Sequence, residues 1–284
     1  MRWRCSLFVF GVLVAGSAAA YDGRLHQQLT FIAAKQFNQC VADTDVPRLT
    51  PLEVRYIAKT AVAQAERNVF ARMFNWRYYD RGREAERSLL WAIDTRFHEH
   101  FNEVLVRLDE ADDTRQRYSN LGRLVGYIQV VSSPAHSVPV YTGRFWRFSV
   151  ADKFDNFPVD EEVLSEQLGC QFLERPSADY QGVMRDVATD TVEAVLSPIE
   201  GMPASWEAFW QLGEEPGSFG EYGPAGNNFG RNTEFRCFED QRCVLLRSDP
   251  LYAQFAQGRH AAAVLGTMRA MLLMQRSRAV VAQQ

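Results

Sequence analysis

A chain of 284 residues with 46% hydrophobic and 23% charged residues has enough apolar content for one large core or two small ones, which excludes a disordered or fibrous chain. Its formal charge of −4 excludes general nucleic-acid binding through a basic surface.

Arg2 and Arg4 precede a short apolar run, Leu7 to Gly16, and the small residues Ala18, Ala19 and Ala20. This is the pattern of a cleavable secretion signal. The alternative, a retained anchor, needs about 20 apolar residues to span a bilayer, and this run has roughly ten. The expectation is a signal peptide over 1–20 and a single mature domain over 21–284 beginning at Tyr21. Its destination would be the periplasm or the extracellular space, with no transmembrane segment. Cys5 leaves with the signal, and Cys40, Cys170, Cys237 and Cys243 remain. An even count in an exported chain favours disulfides over free thiols. Of the three pairings, the closeness of Cys237 and Cys243 across a turn-like acidic stretch favours that pair, with Cys40 bonded to Cys170.

The elements follow in chain order. Leu29, Ile32, Ala33 and Phe37 fall at helical spacing. Thr50-Pro51-Leu52-Glu53 is a capping box with proline at the first helical position, predicting a helix from there to about Phe74. Leu90, Ile93, Phe97, Phe101, Val104 and Leu108 step by three and four and predict a long amphipathic helix. Another carries Leu121, Leu124, Val125 and Ile128 on one face and ends near Ser132-Ser133-Pro134. Helices are also expected over Asp160 to Leu168 and Gln181 to Val195. Pro198 to Asn232, rich in Gly, Pro, Asn and aromatics, reads as irregular loops, and Phe235 to Leu246 as a disulfide-closed hairpin. Ser248-Asp249-Pro250 starts a last helix with Leu251, Phe255, Ala262, Leu265, Met268 and Leu272 as its buried stripe. The sum is one mostly α domain.

The segment LGRLVGYIQVVSSPAHSVPV, Leu121 to Val140, resembles the signature of the zinc-dependent phospholipase C family, which shares its fold with the S1/P1 nucleases. In that signature a helix carries a histidine and an aspartate four residues apart, followed by a Pro-x-His turn. YDGRLH at the expected mature start, FNWRYYD (Phe74 to Asp80) and ADKFDNF (Ala151 to Phe157) resemble further pieces of the family pattern, in order. The resemblance implies a helical fold and a three-zinc centre that neutralises charge at a phosphodiester and supplies a metal-bound hydroxide. It also implies that the mature N-terminus, here Tyr21, is itself a ligand.

Carried over residue by residue, the resemblance keeps Tyr21, His26, His136 and Asp155 as metal ligands, with Glu66 near a further acidic position. It loses the family's side-chain ligands at Trp76, Gly126, Val130 and Ala151. Gly126 and Val130 lie four apart on one helical face and would together have gripped one metal. The three-zinc cluster is therefore not expected, and at most one zinc is. The chain reads as a catalytically silent member of the fold that binds a partner or a ligand, such as a phospholipid head group or another phosphodiester. The alternative is a phosphodiester hydrolase, of phospholipase C or nuclease type, with a reduced or rebuilt metal site.

Other residues carry weaker signals. His98 and His100 of Phe97-His98-Glu99-His100-Phe101 would lie about 200° apart on a helix and could not chelate one ion. His260 lies off the last helix's apolar stripe and reads as solvated. His26 and His136 are either ligands or hydrogen-bonded core histidines. Pro216 to Gly230 is either an exposed recognition loop or one that packs its own aromatics, the usual behaviour of long ordered loops. Glu161-Glu162 and Asp109 to Asp113 read as solvated helix ends.

Overall fold

The computed structural model describes residues 23–62, 76–79, 93–94, 97–140, 144–145, 148–149, 152–174, 176–214 and 219–282. The expected signal peptide, Tyr21, Glu66 and Ala151 lie outside them.

The helical periodicity read from Leu29 to Phe37 forms α1, Gly23–Cys40, which buries Leu25, Leu29, Ile32, Ala33 and Phe37. The capping box starts α2, Pro51–Ala61. Glu53 Oε2 accepts from the Thr50 N–H at 2.7 Å, and the Thr50 hydroxyl accepts from the Glu53 N–H at 3.3 Å. The predicted continuation to Phe74 passes beyond the described residues after Val62. The helix expected from Leu90 needs correction. Ile93–Asp94 is extended and pairs in parallel with Trp76–Arg77, and α3 begins only at Phe97, running Phe97–Asp109. Three apolar residues at the start of a window do not separate a helix from a short strand, and a pairing partner seventeen positions upstream decides it here.

α4, Thr114–Val130, is capped by Asp113, whose carboxylate accepts from Gln116 N at 2.6 Å. The single turn α5, Pro134–Ser137, follows at once. α6, Glu161–Gln167, and α7, Tyr180–Leu196, are capped by Asp160 and Asp179. The last helix, α8, Pro250–Ala282, packs against α1, α4, α6 and α7. Its middle keeps partial exposure only at Ala261, Ala262, Leu265, Arg269 and Leu273. Phe255, Met268 and Leu272 are buried as the stripe predicts, Leu251, Ala262 and Leu265 only partly, and Tyr252, Ala256, Ala263, Val264, Met271 and Met274 are buried as well. Two antiparallel pairs matter later: β1, Trp210–Gln211, with β2, Glu221–Tyr222, and the hairpin β3, Thr233–Phe238, with β4, Gln241–Leu245. The hairpin turns at Glu239, whose φ is 40°.

The closest helix crossing is between α2 and α4. A Cβ at Gly126 would lie 2.5 Å from the Ala61 carbonyl oxygen, and one at Gly122 would run into the Thr60 hydroxyl and the Ile57 carbonyl. Two glycines one turn apart let the backbones meet directly, and both positions are buried. Between α8 and its neighbours, a Cβ at Gly266 would meet Val187 Cγ2 at 2.7 Å and Ile128 Cγ2 at 2.8 Å.

Both expected disulfides are present. Cys40–Cys170 joins the end of α1 to a segment 130 residues away, and Cys237–Cys243 closes the hairpin with a separation of 6. Among the described residues no helix is long and apolar enough to cross a membrane.

Two stability predictions follow from this packing. Gly126→Ala loses about 1–3 kcal/mol through overpacking, although alanine is the better helix former by about 1 kcal/mol. Gly258→Ala, at an exposed site of α8 where a Cβ meets nothing within 4 Å, is neutral to stabilising. Urea titrations with unchanged m-values would check both, and an undiminished midpoint for Gly126→Ala would contradict the crossing. For the disulfides, chain entropy assigns about 5 kcal/mol to the long loop and about 2 kcal/mol to the short one. Replacing Cys40 and Cys170 by alanine should thus lower the unfolding midpoint more than replacing Cys237 and Cys243, and the reverse order would refute the assignment.

Candidate functional site

The sequence-derived ligand positions gather around the C-terminal end of α4. His26, fully buried on α1, sets Nδ1 2.7 Å from Gln129 Oε1. Because a carbonyl oxygen only accepts, Nδ1 carries the hydrogen. The Gln129 amide then donates to Thr30 Oγ1 at 3.1 Å and Thr267 Oγ1 at 3.2 Å. Both hydroxyls pass their own hydrogens to helical carbonyls, Thr30 to His26 O at 2.7 Å and Thr267 to Ala263 O at 2.8 Å. One glutamine thus ties α1, α4 and α8 together in the middle of an apolar core.

One turn further on, Ser133 Oγ donates to Asp155 Oδ1 at 2.6 Å, fixing the turn Phe154–Asn156 against the start of α5. Asp155 is buried, and so is His136, two residues after the Pro134 that opens α5. The His136 carbonyl accepts from Tyr79 N at 2.8 Å, which brings the Tyr78-Tyr79 segment to the same place. His26, His136 and Asp155 are therefore neighbours of one helix end. Tyr21, the fourth expected ligand, lies outside the described residues.

The positions where the resemblance places the missing ligands are packing positions. Gly126 lies under the α2 backbone, and Val130 is 6% exposed within the apolar core. The side chain of Trp76 and the whole of Ala151 are not described. Imidazole nitrogens and a carboxylate suit zinc chemically, yet no group of three His, Cys, Asp or Glu side chains placed to hold a metal occurs among the described residues. An imidazole at position 126 would have to displace α2. The residues present do not fit a three-zinc centre.

Beside this helix end lies a buried carboxylate that sequence reading missed. Asp152, fully buried, accepts from Trp210 Nε1 at 2.7 Å and the Tyr222 hydroxyl at 3.0 Å through Oδ2, and from Phe154 N at 2.8 Å through Oδ1. Burial pushes its pKa up while these three donors pull it down. Burial also raises the Tyr222 hydroxyl, helped by the negative charges of Asp152 and Asp155, so Tyr222 stays a donor. Trp210 and Tyr222 face each other across β1 and β2, and this clamp holds the Pro198 to Asn232 region on the core. Phe229 is buried against Phe154, Trp210 and Tyr252 at ring distances of 5.4, 5.4 and 4.9 Å. The loop thus packs its own aromatics; Phe219, at 40% exposure, still meets the Tyr78 ring at 4.8 Å.

His260 corrects an expectation. It is completely buried, with its ring centroid 5.9 Å from that of Phe154, because α8 packs against four other helices and so buries more than its apolar stripe. His98 stacks on Tyr79 at 4.8 Å, and His100 Nδ1 lies 3.8 Å from Glu103 Oε2, so the two imidazoles engage different neighbours. Asp109, Asp112, Asp113, Glu161 and Glu162 are exposed, as solvated helix ends should be.

Desolvation lowers the His260 pKa from 6.5 to about 4. Since the folded state resists the proton, the unfolded chain binds more protons between those values, and stability falls as pH drops from 6.5 toward 4. The loss attributable to this residue is about 3 kcal/mol. Urea titrations at pH 7 and pH 4 should show His260→Leu losing less stability over that interval than the parent; equal losses would exclude a buried neutral histidine. No family model, curated protein or solved structure matches this chain.

Proposed function

We propose that this chain is an exported relative of the zinc-dependent phospholipase C and S1/P1 nuclease fold that has given up trinuclear hydrolysis and acts by binding. A phospholipid head group or another phosphodiester is the ligand class that the resemblance suggests. The observation that carries the reading is the backbone contact at Gly126. The position corresponding to a family ligand is used to bring α2 within 2.5 Å of a Cβ-bearing geometry, which removes the space an imidazole and its metal would need. The four separate pieces of motif, in order along the chain, support the family assignment. The two disulfides agree with an oxidising destination.

One observation favours the alternative. The Ser133–Asp155 hydrogen bond brings Asp155 to the turn that carries His136, as a supporting bond to a metal ligand would. The second reading is therefore a phosphodiester hydrolase with a single zinc drawing on Tyr21, His26, His136 and Asp155.

Elemental analysis of the exported, processed protein, together with zinc-supplemented assays of phospholipid head-group release and single-strand nucleic-acid cleavage, separates the two. The binding reading expects at most one zinc per chain, no turnover above background, and saturable calorimetric binding of glycerophosphocholine or a dinucleotide. Two or more tightly held metals, or zinc-dependent turnover abolished by His136→Ala, would establish the enzyme instead.

A further inference from the structure

Away from the α4 end, an open cleft of ≈ 330 Å³ lies between the Ser205 to Gln211 segment and β3, lined among others by Ser205, Glu207, Gln211, Phe235 and Arg236. Phe235 and Arg236 are consecutive in β3, and their side chains point to opposite faces, one buried and one exposed. The cleft meets β3 across the consecutive residues Phe235, Arg236 and Cys237. β3 pairs with β4 on one side only, and among the described residues no backbone hydrogen bond joins Glu234 to Cys237 with any element other than β4. The cleft thus meets a strand that is paired on one side only, up to the register shift between Arg236 and Phe238.

One charge along this edge is uncompensated. Arg242 pairs with Glu234 at 2.8 Å, while Arg236 stands directly across from Arg242 in the register and has no carboxylate within salt-bridge distance among the described residues. Like charges opposite one another in a ladder are destabilising. On the facing wall, the Glu207 carboxylate accepts from the Ser205 hydroxyl at 3.2 Å, and among the described residues no cation pairs with it. Glu207 and Arg236 thus line one cleft without closing on each other.

The walls are fixed in place. Ala225 N donates to Ala208 O at 2.8 Å and Gly223 N to Phe209 O at 3.3 Å. A Cβ at Gly223 would collide with the carbonyl oxygens of Glu207 and Ala208, so the wall is packed backbone on backbone. On the other side, the Cys237–Cys243 bond closes the hairpin beside the cleft.

We infer that this cleft binds an extended peptide segment as a third strand on the β3 edge, selecting adjacent acidic and basic residues. Main-chain hydrogen bonds to β3 supply attachment, and alternate side chains supply selectivity, the general logic of strand addition. In an extended chain neighbouring side chains face opposite ways. The acid then lies beside Arg236 on the outer face, where it relieves the Arg236/Arg242 repulsion, and its neighbour turns its cation to Glu207. The inference is independent of the phosphodiester reading, since it uses neither the α4 end nor a metal.

The test uses the full processed chain and fluorescein-labelled hexapeptides, Thr-Val-Glu-Lys-Val-Thr and Thr-Val-Lys-Glu-Val-Thr, the two charge orders covering both strand directions. Controls are the same peptides N-methylated at alternate residues, a peptide with the charges two apart, and the free dipeptide Glu-Lys. Anisotropy should show saturable binding of at least one charge order. Glu207→Gln and Arg236→Gln should each weaken it about tenfold, the scale of one charge-assisted hydrogen bond. N-methylation of the peptide backbone should abolish it. Both substitutions lie at solvent-accessible positions, and an unchanged melting temperature verifies the fold. Failure of both charge orders to bind overturns the inference. So does binding that survives N-methylation, binding indifferent to both substitutions, or equal affinity for the free dipeptide, which would mark a small zwitterion site.

Discussion

The direct contact of α2 with α4 over Gly122 and Gly126 is the constraint from which most of the structure follows. Without side chains at these positions α4 sits against the α2 backbone, while its other faces meet α3, α7 and α8. Its last two turns, Leu124 to Val130, are buried throughout, so a polar residue there cannot turn to water. Gln129 must be satisfied inside, and it is, by an imidazole and two hydroxyls from the flanking helices. An unsatisfied amide at that depth would cost about 1–3 kcal/mol per group. The glutamine network is thus the complement of the glycine contact: close packing buries the helix, and burial makes the network obligatory.

The second half of the chain is attached by a different device. A loop-rich region of about thirty-five residues is tied on through its backbone at Gly220, whose N–H donates to Pro139 O at 3.0 Å, and through side-chain anchorage. Asp152 supplies it by holding Trp210 and Tyr222 on one carboxylate oxygen. Around that clamp, Phe154, Trp206, Phe209, Phe229, Tyr252 and Phe255 form a continuous aromatic cluster. Aromatic edges and faces meeting at these distances add to the burial of apolar area. Three donors converge on this carboxyl and offset part of its desolvation, which still holds its pKa above the ordinary carboxylate value.

Local chemistry was legible in the sequence. The Thr50–Glu53 box, the amphipathic spacing of α1 and α4, and the pairing of Cys237 with Cys243 each depend on residues a few positions apart. What was not legible depends on partners far away. His260 has no local feature that marks it as buried; enclosure of α8 by four helices does that. Ile93 has helical spacing toward Phe97, but its strand partner lies upstream. Asp152 is an ordinary acidic residue until Trp210 and Tyr222 arrive 58 and 70 positions later. Of the candidate site, motif order singled out His26, His136 and Asp155, while Gln129 and Ser133, which bond to two of them, carried no signal as residues in an apolar helix and its terminus.

The hydrogen bonds that hold His26 and Asp155 are ambiguous in isolation, since the same bond that orients a metal ligand also satisfies a polar group in a dry core. On the proposed reading, the surrounding positions argue against a clustered site. A metal centre needs donors converging on a shared space, and the face of α4 that the resemblance assigns to ligands presents Gly126 to a carbonyl of α2 and Val130 to the apolar core. Filling that space with backbone is a change of architecture. Restoring an imidazole at position 126 requires α2 to move outward, which would also expose Ile57, Ala58 and Ala61 and break the crossing that encloses α4. Gly126 and the helix packed upon it are therefore coupled: no side chain can be added at this position without moving α2.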